Sequence, residues 1–212
     1  MKQVLIVEDQ RMPRENMERI LSDSGRYELV ASINGADVAF AKCRQQHIDL
    51  ILMDVCTVGS KDGIEAAAEI KAQFPQIKII IVTSMVEVSY IERARAANVD
   101  SFWYKDISPE ALVDVIDRTM NGEHLFPDKT PNVKLGLADS TELTEKEIAV
   151  LRLICDGLDY GEIAEKLNVS VNTVKTHVSH ILQRTGYANK TRLAIAVTNK
   201  KFIIPTLPED NL

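Results

Sequence analysis

Cysteine is scarce in this 212-residue sequence: Cys43, Cys56 and Cys155 are odd in number, far apart and free of any CxxC spacing. Neither a disulfide framework nor a zinc site is suggested, and a reducing cytoplasm fits. Long apolar runs are missing as well. The first residues enter a strand directly with only the short run Val4 to Val7, and no segment approaches the ~20 residues a membrane span needs. A soluble, unexported, cytoplasmic protein without a membrane partner is therefore expected. Acidic residues are absent from one long stretch: Lys166 to Pro208 carries Lys166, Lys175, Arg184, Lys190, Arg192, Lys200 and Lys201 but no Asp or Glu, although the whole chain has a net charge of −6. On charge alone this is either a polyanion-binding surface or a solvated helix face.

What is present is ordinary globular material, 45% hydrophobic and 26% charged residues. The length suits two small domains. Up to residue 121, short β-branched runs (Gln3–Glu8, Tyr27–Ile33, Asp49–Asp54, Lys78–Thr83, Asp100–Tyr104) alternate with amphipathic stretches at about 12–23, 35–46, 62–73, 86–97 and 108–121. That alternation predicts a parallel sheet covered by helices on both faces. Asn121-Gly122 supplies a helix stop. The stretch 122–140, with Pro127, Pro131 and Gly136, reads as a linker. A helical region follows from 141 to 204, then a tail, 205–212.

Five polar residues sit where the predicted strands end: Glu8 and Asp9 after the first, Asp54 after LILM, Thr83 after KIIIV and Lys105 after SFWY. In a parallel sheet the carboxyl ends of the strands share one edge, so these side chains converge on one crevice. A single Asp there is usually a turn former, and a Thr in a strand usually a strand former. The joint pattern in order indicates a magnesium and phosphate site, because Mg²⁺ takes hard oxygen ligands. Asp54 would be the nucleophile toward phosphorus, Thr83 a hydroxyl donor to a phosphoryl oxygen and Lys105 a point charge.

On VLIVEDQ, LILMD, IIVTS and FWYKD, residues 1–121 resemble the receiver domain of bacterial two-component response regulators. The resemblance implies a flavodoxin-like (βα)5 fold with strand order 2-1-3-4-5. It implies phosphorylation of Asp54 by a partner sensor histidine kinase, and Mg²⁺ held by Glu8, Asp9, Asp54 and the backbone carbonyl of Cys56. It also makes Phe102 the aromatic residue that turns with Thr83 on activation. One departure stands out. Receivers usually carry Met-Pro three and four residues after the phosphoacceptor and Gly at the eighth. Here VCTVGSKDG follows Asp54, without proline and with Gly63 at the ninth position.

In the helical region, Thr144 with Glu147 and Asp159 with Glu162 are spaced as capping boxes, which predict helices near 145–156 and 160–167. Asn168-Val-Ser170 predicts a tight turn and a cap. The next helix, 171–184, puts Val171, Val174, Val178, Ile181 and Leu182 on a core face and Lys175, Thr176, Ser179 and Gln183 on the other. Gly186 ends it, and a fourth helix spans 189–200. His177 and His180 lack nearby acids or cysteines, so packing or a phosphate contact suits them better than a metal.

The run LTEKEIAVLRLICDGLDYGEIAEKLNVSVNTVKTHVSHILQRTG is similar to the four-helix LuxR-type helix-turn-helix domain, and the whole chain resembles a NarL/FixJ-type response regulator. Lys175, Thr176, Ser179 and Gln183 would then face the major groove of double-stranded promoter DNA. Arg184, Lys190 and Thr191 would reach phosphates, and the last helix would form a homodimer on an inverted repeat. The expected function is a transcription factor switched by phosphorylation, not an enzyme. Two rivals remain at this level. One is an atypical receiver controlled by a ligand or partner protein at the altered loop. The other is an Asp-nucleophile phosphohydrolase, disfavoured because Cys56 stands where such enzymes carry a second Asp.

Overall fold

The computed structural model describes residues 1–105, 108 and 111–205. They form two compact units, Met1–Met85 with Ser89–Lys129, and Val86–Val88 with the chain from Thr130 onward.

In the first unit β1 (Lys2–Val7), β2 (Tyr27–Ile33), β3 (Leu50–Met53), β4 (Lys78–Thr83) and β5 (Ser101–Tyr104) pair in parallel in the order β2-β1-β3-β4-β5. This is the flavodoxin-like order. Every residue of β3 is buried, and all but the first of β4, as strands covered on both faces must be. The helices are α1 (Arg11–Ser24), α2 (Ala39–Gln45), α3 (Gly63–Gln73), α4 (Tyr90–Ala96) and α5 (Leu112–Met120). One apolar cluster joins alternate strand residues Val4, Ile6, Leu50, Leu52, Ile80 and Val82 to Met17 and Leu21 of α1 and to Val115 and Ile116 of α5. Each such aliphatic side chain contributes roughly 1.5–3 kcal/mol by leaving water.

Two predicted helices differ in the structure. The stretch 35–46 splits into a 3₁₀ turn, Ala36–Val38, whose leading N–H is capped by Thr57 Oγ1 at 2.9 Å, and α2. The stretch 86–97 becomes helical only at Tyr90. Thr83 Oγ1 accepts the N–H of Met85 at 3.1 Å, a local turn that competes with helix initiation. The predicted start of the fifth helix at 108 runs into residues 109 and 110, which lie outside the described residues. Of the tail, 205–212, everything after Pro205 lies outside them too.

After α5 the chain stops at Asn121-Gly122 as anticipated, and residues 122–126 fold back along β5. The Phe102 N–H donates to the Leu125 carbonyl at 2.8 Å and the Leu125 N–H to Ser101 Oγ at 3.1 Å. His124 Nδ1 lies 3.1 Å from the Asp100 carbonyl oxygen. The Phe126 ring lies 6.4 Å from that of Phe102 and under the Arg95 guanidinium at 4.3 Å.

The second unit opens with an unforeseen hairpin, β6 (Lys134–Leu135) and β7 (Ala138–Asp139), whose Leu137 N–H donates to the Thr185 carbonyl at 2.9 Å. Four helices follow: α6 (Glu145–Cys155), α7 (Tyr160–Lys166), α8 (Val171–Thr185) and α9 (Lys190–Asn199). Both capping boxes form. Asn168 adopts φ 52, Ser170 Oγ accepts the Thr173 N–H at 3.0 Å, and Gly186 at φ 74 ends α8. Val174 and Val178 of α8 pack on Val150, Leu153 and Ile154 of α6 and Ile163 of α7. Val171, expected in this core, is 42% exposed, for the packed stripe starts one turn later at Val174.

Candidate functional site

The strand ends of the first unit bring the predicted pocket together. Glu8 continues β1 and is fully buried, Asp54 follows β3, Thr83 closes β4 and Lys105 follows β5. Glu8, Asp9 and Asp54 offer carboxylate oxygens within 4.8 Å of one another. Lys105 Nζ bonds to the Glu8 carboxylate and lies 3.1 Å from Asp54 Oδ2. Asp54 Oδ1 accepts the Val55 N–H at 2.7 Å, and the Thr83 hydroxyl shares a hydrogen bond with the same carboxylate. Gln10 donates its N–H to Glu8 Oε1 at 3.0 Å.

Burial raises the pKa of Asp54 above the ordinary carboxylate value, against the pull of Lys105, Val55 N–H and Thr83. Burial and the neighbouring Asp54 charge likewise raise that of Glu8, more than Lys105 and Gln10 lower it. Glu8 and Asp54 thus share the single Lys105 ammonium, which does not offset their burial. Asp9 Oδ1 is buried without a hydrogen-bond partner. A hard divalent cation, with oxygen ligands and retained waters, fits that donor set.

Around the pocket, Phe102 is 3% exposed, turned inward against Tyr104 at 4.9 Å between ring centres. Cys56 points its thiol at the Tyr90 hydroxyl, 3.5 Å away, and burial pushes that thiol's pKa up. Any ligand from Cys56 would thus come from its backbone, not from sulfur. Arg14 was not foreseen. Its Nη1 donates to the Glu8 carbonyl at 3.1 Å and also to Asn34 Oδ1, so it fixes the end of β1 from α1. No spacing rule gives this contact, since Arg14 looks like any exposed helical arginine.

Residues 4–117 match the family described as the response regulator receiver domain, and residues 141–197 match bacterial regulatory proteins of the luxR family. Response regulator protein VraR of Staphylococcus aureus is 35% identical over 197 residues, 91% of this chain and 94% of that one. The chain belongs to the response-regulator family. Two structures of RcsB, one of two RcsB dimers bound to two parallel DNAs and one of RcsB from Salmonella enterica serovar Typhimurium on promoter rprA with the phosphomimetic BeF3⁻, share the fold. Each has a TM-score of 0.63, at 20% and 22% identity, and each covers 93% of this chain and 98% of the other.

The regulator is thus a receiver joined to a LuxR-type helix-turn-helix domain, a family of DNA-binding transcription regulators and not of enzymes. Among its described residues no helix is long and apolar enough to cross a membrane. On α8, Lys175, Thr176, Ser179 and Gln183 are all exposed on the side away from Val174 and Val178. His180 is exposed with them and His177 is half-buried. Arg184 behaves differently from its neighbours. Its Nη1 donates to Glu147 Oε2 and to the Glu142 carbonyl, both at 2.8 Å, which ties α8 to the start of α6. Lys190 Nζ sits 4.8 Å from the centre of the Tyr160 ring, and Thr191 is exposed beside it at the start of α9.

Proposed function

We propose that the protein is a cytoplasmic phosphorylation-dependent transcription factor whose phosphoacceptor is Asp54, with 1–121 as receiver, 141–204 as the DNA-binding domain and 122–140 as a linker whose first part is laid along β5 and whose last part forms the β6–β7 hairpin. The observation that carries this reading is the strand-end cluster of Glu8, Asp9 and Asp54 around the Lys105 ammonium, with the orphaned Asp9 Oδ1 inside it. Glu8, Asp9, Asp54 and the Cys56 carbonyl would hold Mg²⁺, which when bound supplies charge neutralisation at a transferring phosphoryl group. A carboxylate oxygen of Asp54 attacks phosphorus as the bond to the kinase's histidine nitrogen breaks, leaving an aspartyl phosphate and a free imidazole. Lys105 faces the incoming charge and Thr83 donates its hydroxyl to a phosphoryl oxygen.

The inward Phe102, on the strand next to the one that Thr83 closes, is the arrangement such a phosphoryl group would favour, by selecting one member of an existing equilibrium. DNA recognition is assigned to Lys175, Thr176, Ser179 and Gln183 in the major groove. Lys190, Thr191 and the free edge of Arg184 go to phosphates. Ile195, 57% exposed on α9, supports a homodimer through that helix and hence binding to a two-fold inverted repeat.

Intact-mass measurement with Mg²⁺ and a small phosphodonor tests the first step. One added phosphoryl group, absent from Asp54→Ala, is expected, together with tighter promoter binding by the modified form. DNA affinity indifferent both to phosphorylation and to Asp54→Ala would replace this reading by control through a ligand or partner protein.

A further inference from the structure

The segment after Asp54 lacks the proline that would stiffen it and is one residue longer than the family pattern, yet it is tightly held. The Gly63 N–H returns to the Val55 carbonyl at 2.8 Å and closes Val55–Gly63 into one loop. Gly63 lies so near β3 that a Cβ would stand 2.0 Å from the Asp54 carbonyl oxygen. The loop is also fastened to the chain after β2. The Val58 N–H donates to the Asn34 carbonyl at 3.2 Å and Thr57 Oγ1 accepts the Ala36 N–H. Asp37 places both carboxylate oxygens on the loop tip: Oδ2 accepts the Ser60 N–H at 2.9 Å and Oδ1 the Lys61 N–H at 3.0 Å.

The backbone is shaped for this seat. Gly59 adopts φ 125, and a Cβ there would stand 2.1 Å from Asp37 Oδ2. A Cβ on Gly35 would stand 2.5 Å from the Val58 carbonyl oxygen. Asn34, which anchors one end of the seat, also takes Arg14, and Arg14 holds the Glu8 carbonyl. The loop that carries Cys56 is therefore connected through Asn34 and Arg14 to the strand end that carries Glu8.

We propose that Asp37 is a positioning residue for the phosphoacceptor site: its carboxylate clasps the Gly59–Lys61 tip and thereby fixes the Cys56 backbone beside Asp54, in place of the stiffness a proline would give. Asp37 is not among the residues that would hold the metal, Glu8, Asp9 and Asp54. This role rests on the phosphoacceptor reading above for its purpose, but its geometry stands without it. Two backbone N–H donors converge on one carboxylate, the kind of brace that orients a ligand set from behind.

The test compares full-length parent, Asp37→Ala, Asp37→Asn and Gly59→Ala. Three readouts are used: Mg²⁺ titration followed by the fluorescence of Trp103, hydrogen exchange at Ser60 and Lys61, and phosphoryl uptake by intact mass. Promoter binding by the unphosphorylated chains checks folding. Asp37→Ala should weaken Mg²⁺ binding about tenfold, the usual effect of removing a residue that braces a metal ligand, and speed exchange at both amides. Asp37→Asn, which keeps one carbonyl acceptor, should fall between. Gly59→Ala, strained at its φ and driven into Asp37, should match Asp37→Ala. Unchanged exchange and Mg²⁺ affinity in Asp37→Ala would overturn the clasp. A parent that binds Mg²⁺ but takes up no phosphoryl group would instead overturn the phosphoacceptor reading, with the clasp still decided by the first two readouts.

Discussion

Lys105 stands between Glu8 and Asp54, bonded to the first carboxylate and 3.1 Å from Oδ2 of the second. Burial holds both carboxyl groups above their ordinary pKa values, with the Asp54 charge adding to the effect on Glu8, and the one ammonium they share does not offset it. A carboxyl group whose folded-state pKa is raised favours folding only while protonated. That advantage is full below its unfolded value and is lost as pH rises through the folded one. Ionising the pocket as pH rises through those folded-state values therefore costs stability.

Asp54→Asn is accordingly expected to raise the Tm at pH 7, by the equivalent of on the order of 1 kcal/mol. The gap should close as pH falls toward the ordinary carboxylate range. Added Mg²⁺ should raise the Tm of the parent more than that of Asp54→Asn, since only a ligand of the native state stabilises it. Thermal melts over a pH series with and without Mg²⁺ check both.

Glu147 gives the opposite sign. It is 2% exposed, and burial alone would lift its pKa, but the Thr144 N–H and hydroxyl and the Arg184 guanidinium hold it below the usual value. Its contribution is present above the unfolded pKa and lost as pH falls through the depressed folded one. Glu147→Gln should destabilise the helical unit by about 1–3 kcal/mol at pH 7, and the deficit relative to parent should vanish in acid. Urea melts at pH 7 and pH 3, read by circular dichroism, provide the check.

Promoter binding separates the residues of α8 and α9. Lys175→Ala and Lys190→Ala should each lower the slope of log affinity against log salt by about 0.9 for every phosphate no longer neutralised. Ser179→Ala and Gln183→Ala should leave the slope alone and relax base preference, by about 1–3 kcal/mol where a bidentate hydrogen bond to a base is removed. Arg184→Ala should also cost folding stability, because it releases Glu147. Fluorescence anisotropy at several salt concentrations on matched and altered operators distinguishes these outcomes.

The strand ends were legible in the sequence because a parallel sheet converts order along the chain into position along an edge. Glu8, Asp54, Thr83 and Lys105 each follow an apolar strand that no other element could accept. The caps at Thr144, Asp159 and Ser170 were legible for a local reason, as each satisfies amides two or three residues away. Arg14, Asp37 and Leu125 were not. Their partners Asn34, Ser60 and Phe102 lie far along the chain, and neither a polar side chain nor a loop backbone group gives a periodic signal of which distant group it will meet. Val171 misled because its spacing matched the core stripe while its place in the first turn of α8 left it outside.

Phe126→Ala probes the return segment along β5. Removing the ring that lies between Phe102 and Arg95 should speed hydrogen exchange of the Phe102 and Leu125 amides while phosphoryl uptake at Asp54 persists. Unchanged exchange would show that backbone pairing alone holds residues 122–126.

That return segment also bears on how such chains can be recombined. β5 is the outermost strand on its side of the sheet, and the Leu125 carbonyl satisfies its Phe102 N–H. A chimera spliced at the end of α5 would bare that edge and invite association with other chains. One spliced after Lys129 would carry the cover along. The interchangeable module is longer than its five strands and five helices, and the breakpoint that shuffling between relatives should tolerate lies past the aromatic hook of Phe126.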